Sequence, residues 1–261
     1  MQQYHSSFYL KSWRFFLGFC FALFGLITCF MVGPLYAEPD PIALLKLSDQ
    51  ARGGGLPGLT WYVNVLNTGN GDDDQSMRLR IKATDSANVA ETFEPLRSKG
   101  TKMLQVDYNM WLSKPGLKKP IPISPRQRLT GQAAIGDIAA TNYVRDYTVK
   151  LLRDEMIGKE HCNVLELTAN NHHTTYDRLL YWISDGQGVG IRAEFYSLSG
   201  KLLKRAEFEY KNRIEIQGKP APFISRMVIT DALTDARTTL DYSQVKVQPI
   251  SPGEFDVSHL E

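Results

Sequence analysis

Cysteine is nearly absent from the part of this chain that can fold as a globule. Of three cysteines in 261 residues, Cys20 and Cys29 lie in an apolar N-terminal stretch, and only Cys162 follows. No intramolecular disulfide is then available, so core packing alone holds the fold, and Cys162 reads as a small core residue on a strand. A charge excess is missing as well. The formal net charge of +2 belongs to Lys11 and Arg14, and beyond them 28 basic residues face 28 acidic ones. Nucleic-acid binding draws on an excess of cationic side chains that displaces counterions, and this balance argues against it.

Catalytic and metal-binding signatures are also missing. The sequence contains no G-x-S-x-G, H-E-x-x-H, C-x-x-C or G-x-x-x-x-G-K-[ST]. Gly186-Gln187-Gly188-Val189-Gly190 lies between two strand patterns with no helix after it, which is a hairpin context rather than a phosphate loop. His172 and His173 are adjacent, so in extended backbone they point to opposite sides and do not face one metal. The acidic triplet Asp72 to Asp74 lacks the ligand spacing of a calcium loop and reads as a hairpin tip. The reading is therefore of a non-enzyme without metal or cofactor.

What is present begins with an export leader. Lys11 and Arg14 precede the uncharged run Phe15 to Val32, and Leu35-Tyr36-Ala37 follows. This layout predicts a signal peptide over 1–37, cleaved after Ala37, and a single domain over 38–261. The run is also near the lower length for crossing a bilayer, which leaves an uncleaved inner-membrane anchor open.

Pro41 to Arg52 has the spacing of a short amphipathic helix, stopped by Gly53-Gly54-Gly55. From Leu59 onward the period is two. Thr60–Leu66, Ser76–Ala83, Val89–Pro95 and Thr101–Leu112 alternate, and seven further candidates follow between Arg145 and Val247. About eleven strands with two helical patches make a mainly β, α+β fold, a large antiparallel sheet that must curl or close. Ile191, Ala193 and Phe195 oppose Arg192 and Glu194, giving one apolar and one wet face. A curved sheet too wide for few helices to fill predicts an apolar cavity. Its candidate lining is Trp61, Phe93, Met103, Met110, Trp111, Trp182 and Phe195.

Tyr108 to Asp137 joins three patterns: an aromatic strand, a proline-broken basic loop, and a small-residue segment, Gly131 to Ala140, that reads as weakly helical. The loop carries Lys118, Lys119, Arg126 and Arg128, a candidate rim for anionic headgroups or an acidic partner surface. The expectation is that Ser124 to Ala140 covers the open side as a gate. Trp111, Leu129 and Ile138 would stand at the cavity mouth, with Lys118 and Lys119 facing water.

These residues also carry a resemblance. MWLSKPGLKKPIPISPRQRLTGQAAIGD, with LELTA at Leu165, YDR at Tyr176, FYSLSGKLLK at Phe195 and MVITDAL at Met227, resembles ordered blocks of the outer-membrane lipoprotein-sorting proteins, a LolA-like family. The resemblance implies a half-open β-barrel with a short helical lid, acting in the periplasm as a monomeric carrier of lipoprotein acyl chains or lipid. It further implies an inner-membrane transporter partner, in a branch similar to companions of RND-type lipid exporters. Two readings stay open beside it, a membrane-tethered accessory subunit of such an exporter and a periplasmic hydrolase.

Overall fold

The computed structural model describes residues 39–69, 76–138, 140–234 and 236–260. The expected leader, the Asp72 to Asp74 tip and the Arg128 side chain lie outside what is described. Pro39 to Glu261 form one compact unit.

The helix α1 spans Pro41–Gln50, with Pro41 in its first turn and the Asp40 carboxylate accepting from Ile42 N at 3.0 Å. That is a proline start with a side-chain cap, and Gly53 at φ 96° ends the helix where a left-handed residue is needed. Ser48 anchors it: its hydroxyl meets Tyr181 Oη at 2.8 Å and accepts from Gly190 N at 3.0 Å. A Cβ on Gly190 would lie 2.0 Å from the Tyr181 ring, so this glycine serves close packing rather than phosphate binding.

The strands in chain order are β1 Leu59–Thr68, β2 Ser76–Ala83, β3 Ala87–Glu94, β4 Lys102–Val106, β5 Asn109–Ser113, β6 Ile121–Ile123, β7 Arg128–Thr130, β8 Ala133–Ala134, β9 Tyr147–Ile157, β10 Glu160–Ala169, β11 Arg178–Ser184, β12 Gly190–Tyr196, β13 Leu202–Glu209, β14 Asn212–Ile216, β15 Lys219–Phe223, β16 Arg226–Asp231 and β17 Arg237–Val247. Thirteen of them form one sheet in the order β6-β5-β4-β3-β2-β1-β17-β16-β13-β12-β11-β10-β9, antiparallel throughout. Its two edges, β6 and β9, do not pair with each other, so the sheet is an open barrel rather than a closed one.

Several expectations need correction. Thr101–Leu112 is two strands, β4 and β5, turned at Asp107, which takes φ 53° as aspartate tolerates. Gly131 to Ala140 is β8 followed by one 3₁₀ turn, Ile135–Asp137, instead of a helix. The segment after Glu209 holds an additional hairpin, β14 with β15, separate from the main sheet.

One face of the sheet carries Trp61, Val63, Leu79, Ile81, Met103, Leu165, Leu179, Phe195, Phe208, Met227 and Leu240 into a single core. Leu45 of α1, Ile135 and Ile138 beyond β8, and Ile214 and Phe223 of the β14–β15 hairpin pack on it. The short elements therefore cover the inner face. Among the described residues, the short elements that pack on the opposite face are those near β3 to β5, where Phe255, Val257 and Leu260 pack over Val89, Leu104 and Trp111.

Candidate functional site: a latched cover over the inner face

The inner face is not an empty trough. Trp61, Met103, Met110 and Phe195 are at most 4% exposed, and Trp61 meets Phe223 edge-on at 6.1 Å. The void beside Trp61, Arg52 and Tyr242 is only about 10 Å³. Among the described residues the inner face around Trp61 is filled rather than open, because the β14–β15 hairpin adds Ile214 and Phe223 to what two helical patches would cover, and a void of about 50 Å³ remains beneath the cover beside Asp137, Tyr143 and Tyr176.

Three of the candidates lie on the other face. Trp111 packs with Leu104 and Leu260, Trp182 with Cys162 and Val164, and Phe93 meets Tyr62 at a tilt with ring centroids 6.2 Å apart, under the Arg80 guanidinium. Their partners across the sheet explain this. Trp111 opposes Leu104 while Met110 and Met103 take the inward parity, and Trp182 alternates with inward Tyr181 and Ile183. Aromatic content marks burial, and here both faces bury aromatics. Leu129 is half-buried against the inner core and Ile138 is buried in it.

Residues 124–138 and 140–143 lie over the inner face, hooked near one end by Arg126 and near the other by Thr141 N, which donates to Arg52 O at 3.4 Å. Arg126 donates through Nε to Thr174 O at 2.8 Å and through Nη2 to Asp177 at 2.9 Å. Its charge is engaged, so it is not a free headgroup contact. Lys118 and Lys119 are exposed on the loop between β5 and β6, at the sheet edge rather than over the inner face. At the other end of β5, Tyr108 packs against His173 with ring centroids 5.9 Å apart. Tyr108 turns β4 into β5 and His173 lies between β10 and β11, so strands from opposite ends of the sheet order meet, and the sheet must be curled.

The middle of the cover is pinned by a buried charge pair that the sequence reading missed. Lys204 of β13 and Asp137, 7% and 5% exposed, form an ion pair at 2.8 Å. Asp137 also accepts from Ala134 N at 2.8 Å and from Tyr176 Oη at 2.7 Å. Lys204 donates further to Gln132 O at 2.7 Å and stands 4.8 Å from the Tyr176 ring. Burial, and then the Asp137 carboxylate, push the Tyr176 phenol well above its usual range, which keeps it a neutral donor. A signal was available: Lys204 sits on the inward parity of β13 between Leu202 and Ala206, and Asp137 is the lone charge in a run of small residues.

Two glycines let the cover lie close. A Cβ on Gly136 would fall 2.0 Å from Thr175 Oγ1, and one on Gly131, at φ 50°, 2.0 Å from Asn67 Oδ1. Among the described residues, no group of three or more His, Cys, Asp or Glu is arranged to hold a metal ion, and no helix is long and apolar enough to cross a membrane.

An open antiparallel barrel with its inner face covered by latched short elements defines the class of protein. A family model described as an uncharacterized protein matches residues 84–261. Among solved structures, a LolA superfamily protein from Nitrosomonas europaea is 30% identical, over 85% of this chain and 100% of that one, with a TM-score of 0.76. A DUF1329 family protein from Desulfovibrio piger is 19% identical, over 85% and 100%, with a TM-score of 0.72. A domain from Vibrio parahaemolyticus described as an outer membrane lipoprotein-sorting protein is 20% identical, over 84% and 97%, also at 0.72. No curated protein matches the sequence. The chain belongs to the LolA superfamily.

Proposed function

We propose that the protein is a periplasmic carrier that binds acyl chains of lipoproteins or lipids on the inner face of its sheet and moves them from the inner toward the outer membrane. The observation that carries this reading is the kind of contact closing the inner face. The apolar wall is a continuous sheet, whereas its cover is held by side chains and short turns, with no strand paired to the main sheet. Such a cover can leave while the wall stays intact.

A filled inner face fits a carrier. Apolar surface left in water is unfavourable by about 25 cal/mol per Å², so an unloaded carrier gains by folding its own Ile135, Ile138, Ile214 and Phe223 into the space. An acyl chain that replaces them contributes about 0.8 kcal/mol per buried methylene, and opening exchanges one set of apolar contacts for another.

The leader over 1–37 exports the protein, and N-terminal sequencing is expected to begin at Glu38. By the sequence resemblance, the donor is an inner-membrane transporter of RND type. Lys118 and Lys119 reach its acidic surface or anionic headgroups. The deciding experiment is mass spectrometry of organic extracts from protein purified without detergent. Acylated species that co-purify and exchange are expected. Failure to retain or exchange any lipid or acylated peptide would sink the proposal.

A further inference from the structure

Arg52, just beyond α1, is 6% exposed, yet its one side-chain hydrogen bond among the described residues is a long one, from Nη1 to Tyr143 Oη at 3.4 Å. The guanidinium stands 4.7 Å from the Phe208 ring and 5.5 Å from the Tyr143 ring. Lys204, equally buried, has Asp137 as its counter-ion, whereas Arg52 forms no ion pair with any described carboxylate. Its neighbour in sequence, Asp49, turns one oxygen to Val144 N at 2.9 Å and leaves the other without a partner. Burial raises the Asp49 pKa well above the usual carboxylate range, against the pull of the Val144 N–H and of the Arg52 charge, and neither Asp49 oxygen comes within ion-pair distance of the guanidinium.

Arginine cannot escape such a position by losing its proton, and an isolated buried charge is strongly unfavourable. Its unused donors are available to an acceptor. Arg52 shares its void with Trp61, Thr141 and Tyr242, and among the described residues the buried Trp61 indole Nε1 also has no acceptor. At about 10 Å³ the void takes no more than a single small group. Thr141 lines the same void and Tyr143 contacts the guanidinium, so the cover at 140–143 lies directly over the Arg52 side chain.

We infer that Arg52, with the Trp61 N–H, receives the anionic oxygens of an acyl ligand's head, a carboxylate or a phosphate, once the cover lifts. The inference rests on the carrier reading and gives it a polarity: chain on the apolar wall, charged head at the end of α1.

The test measures binding of two probe pairs to the full mature chain, palmitate against its methyl ester and phosphatidate against diacylglycerol, each supplied from phosphatidylcholine vesicles. The wild type is expected to prefer an anionic member by about tenfold, the range of a charge-assisted hydrogen bond. The arm that shows the preference identifies carboxylate or phosphate as the source. Arg52→Met is expected to erase the preference while keeping the uncharged probe. Where that variant does not fold, Trp61→Phe is expected to weaken the preference without removing the charge. Equal affinity of the wild type for charged and uncharged members overturns the inference and leaves the carrier standing. No binding of any probe overturns the carrier reading itself.

Discussion

Lys204 and Asp137 show how much one pair of side chains can decide in a fold without disulfides. Both charges are desolvated, and each is satisfied by several partners, so removing one strands the other. Lys204→Met is expected to lower stability by about 3–5 kcal/mol in urea titration, the range for breaking a buried pair from one side. Lys204→Met combined with Asp137→Leu is expected to recover a large part of that loss, since an apolar pair leaves no orphan charge; additive losses would show that the two do not act as a unit. Exposed His161 gives the opposite case. Hydrogen bonds that its ring donates to the carboxylates of Asp185 and then Asp154 raise its pKa above the ordinary 6.5. Its stabilising contribution is therefore fully present below about pH 6.5 and fades as pH rises through the folded value. NMR titration is expected to show the raised value, and Asp185→Asn to bring it back toward 6.5. Lys204 also shows the limit of reading residues from sequence. Its parity was visible, but its partner lies 67 positions away, and alternation alone does not say which distant segment crosses which strand.

At the scale of elements, strands were legible wherever the period of two ran unbroken: Ser76–Ala83 and Arg237–Val247 are strands over those very bounds. Legibility failed where a turn hides inside an apparent strand, as at Asp107, or where prolines disguise one, as Pro220 and Pro222 do in β15. That strand pairs only with β14, and proline is tolerated on such an edge because the missing N–H faces no partner. Missing this hairpin is why an open cavity was expected where a filled face is found. The cover was legible as a place but not as a structure, for its short turns are fixed by contacts to Thr175, Asn67 and Lys204 rather than by local propensity. Arg126→Ala tests the cover as a separate element. The pair with Asp177 is partly exposed, so global stability is expected to fall by no more than about 1 kcal/mol. Amide exchange over 124–137 is expected to accelerate well beyond that of β1 and β17. A uniform acceleration would mean that the cover and the sheet unfold together.

For the whole molecule, the question is whether wall and cover separate as units. β1 and β17 lie in the middle of the thirteen-stranded order, paired over nearly their full length, while 131–143 and the β14–β15 hairpin touch the inner face mainly through side chains. Local opening takes the path that breaks the fewest buried contacts, so the cover is expected to open before the wall. An acyl ligand that binds the inner face must displace Ile135, Ile138, Ile214 and Phe223, and it leaves the strand ladder untouched. Exchange measured with and without palmitate is therefore expected to show faster amides at 131–143 and 212–224, with β1 and β17 unchanged or slower. This pattern distinguishes inner-face binding from attachment outside. A ligand held on the outer face, near Trp182 or Trp111, would leave the cover's exchange as it was, and such a result would place the cargo on the wrong side of the sheet for the carrier proposed here.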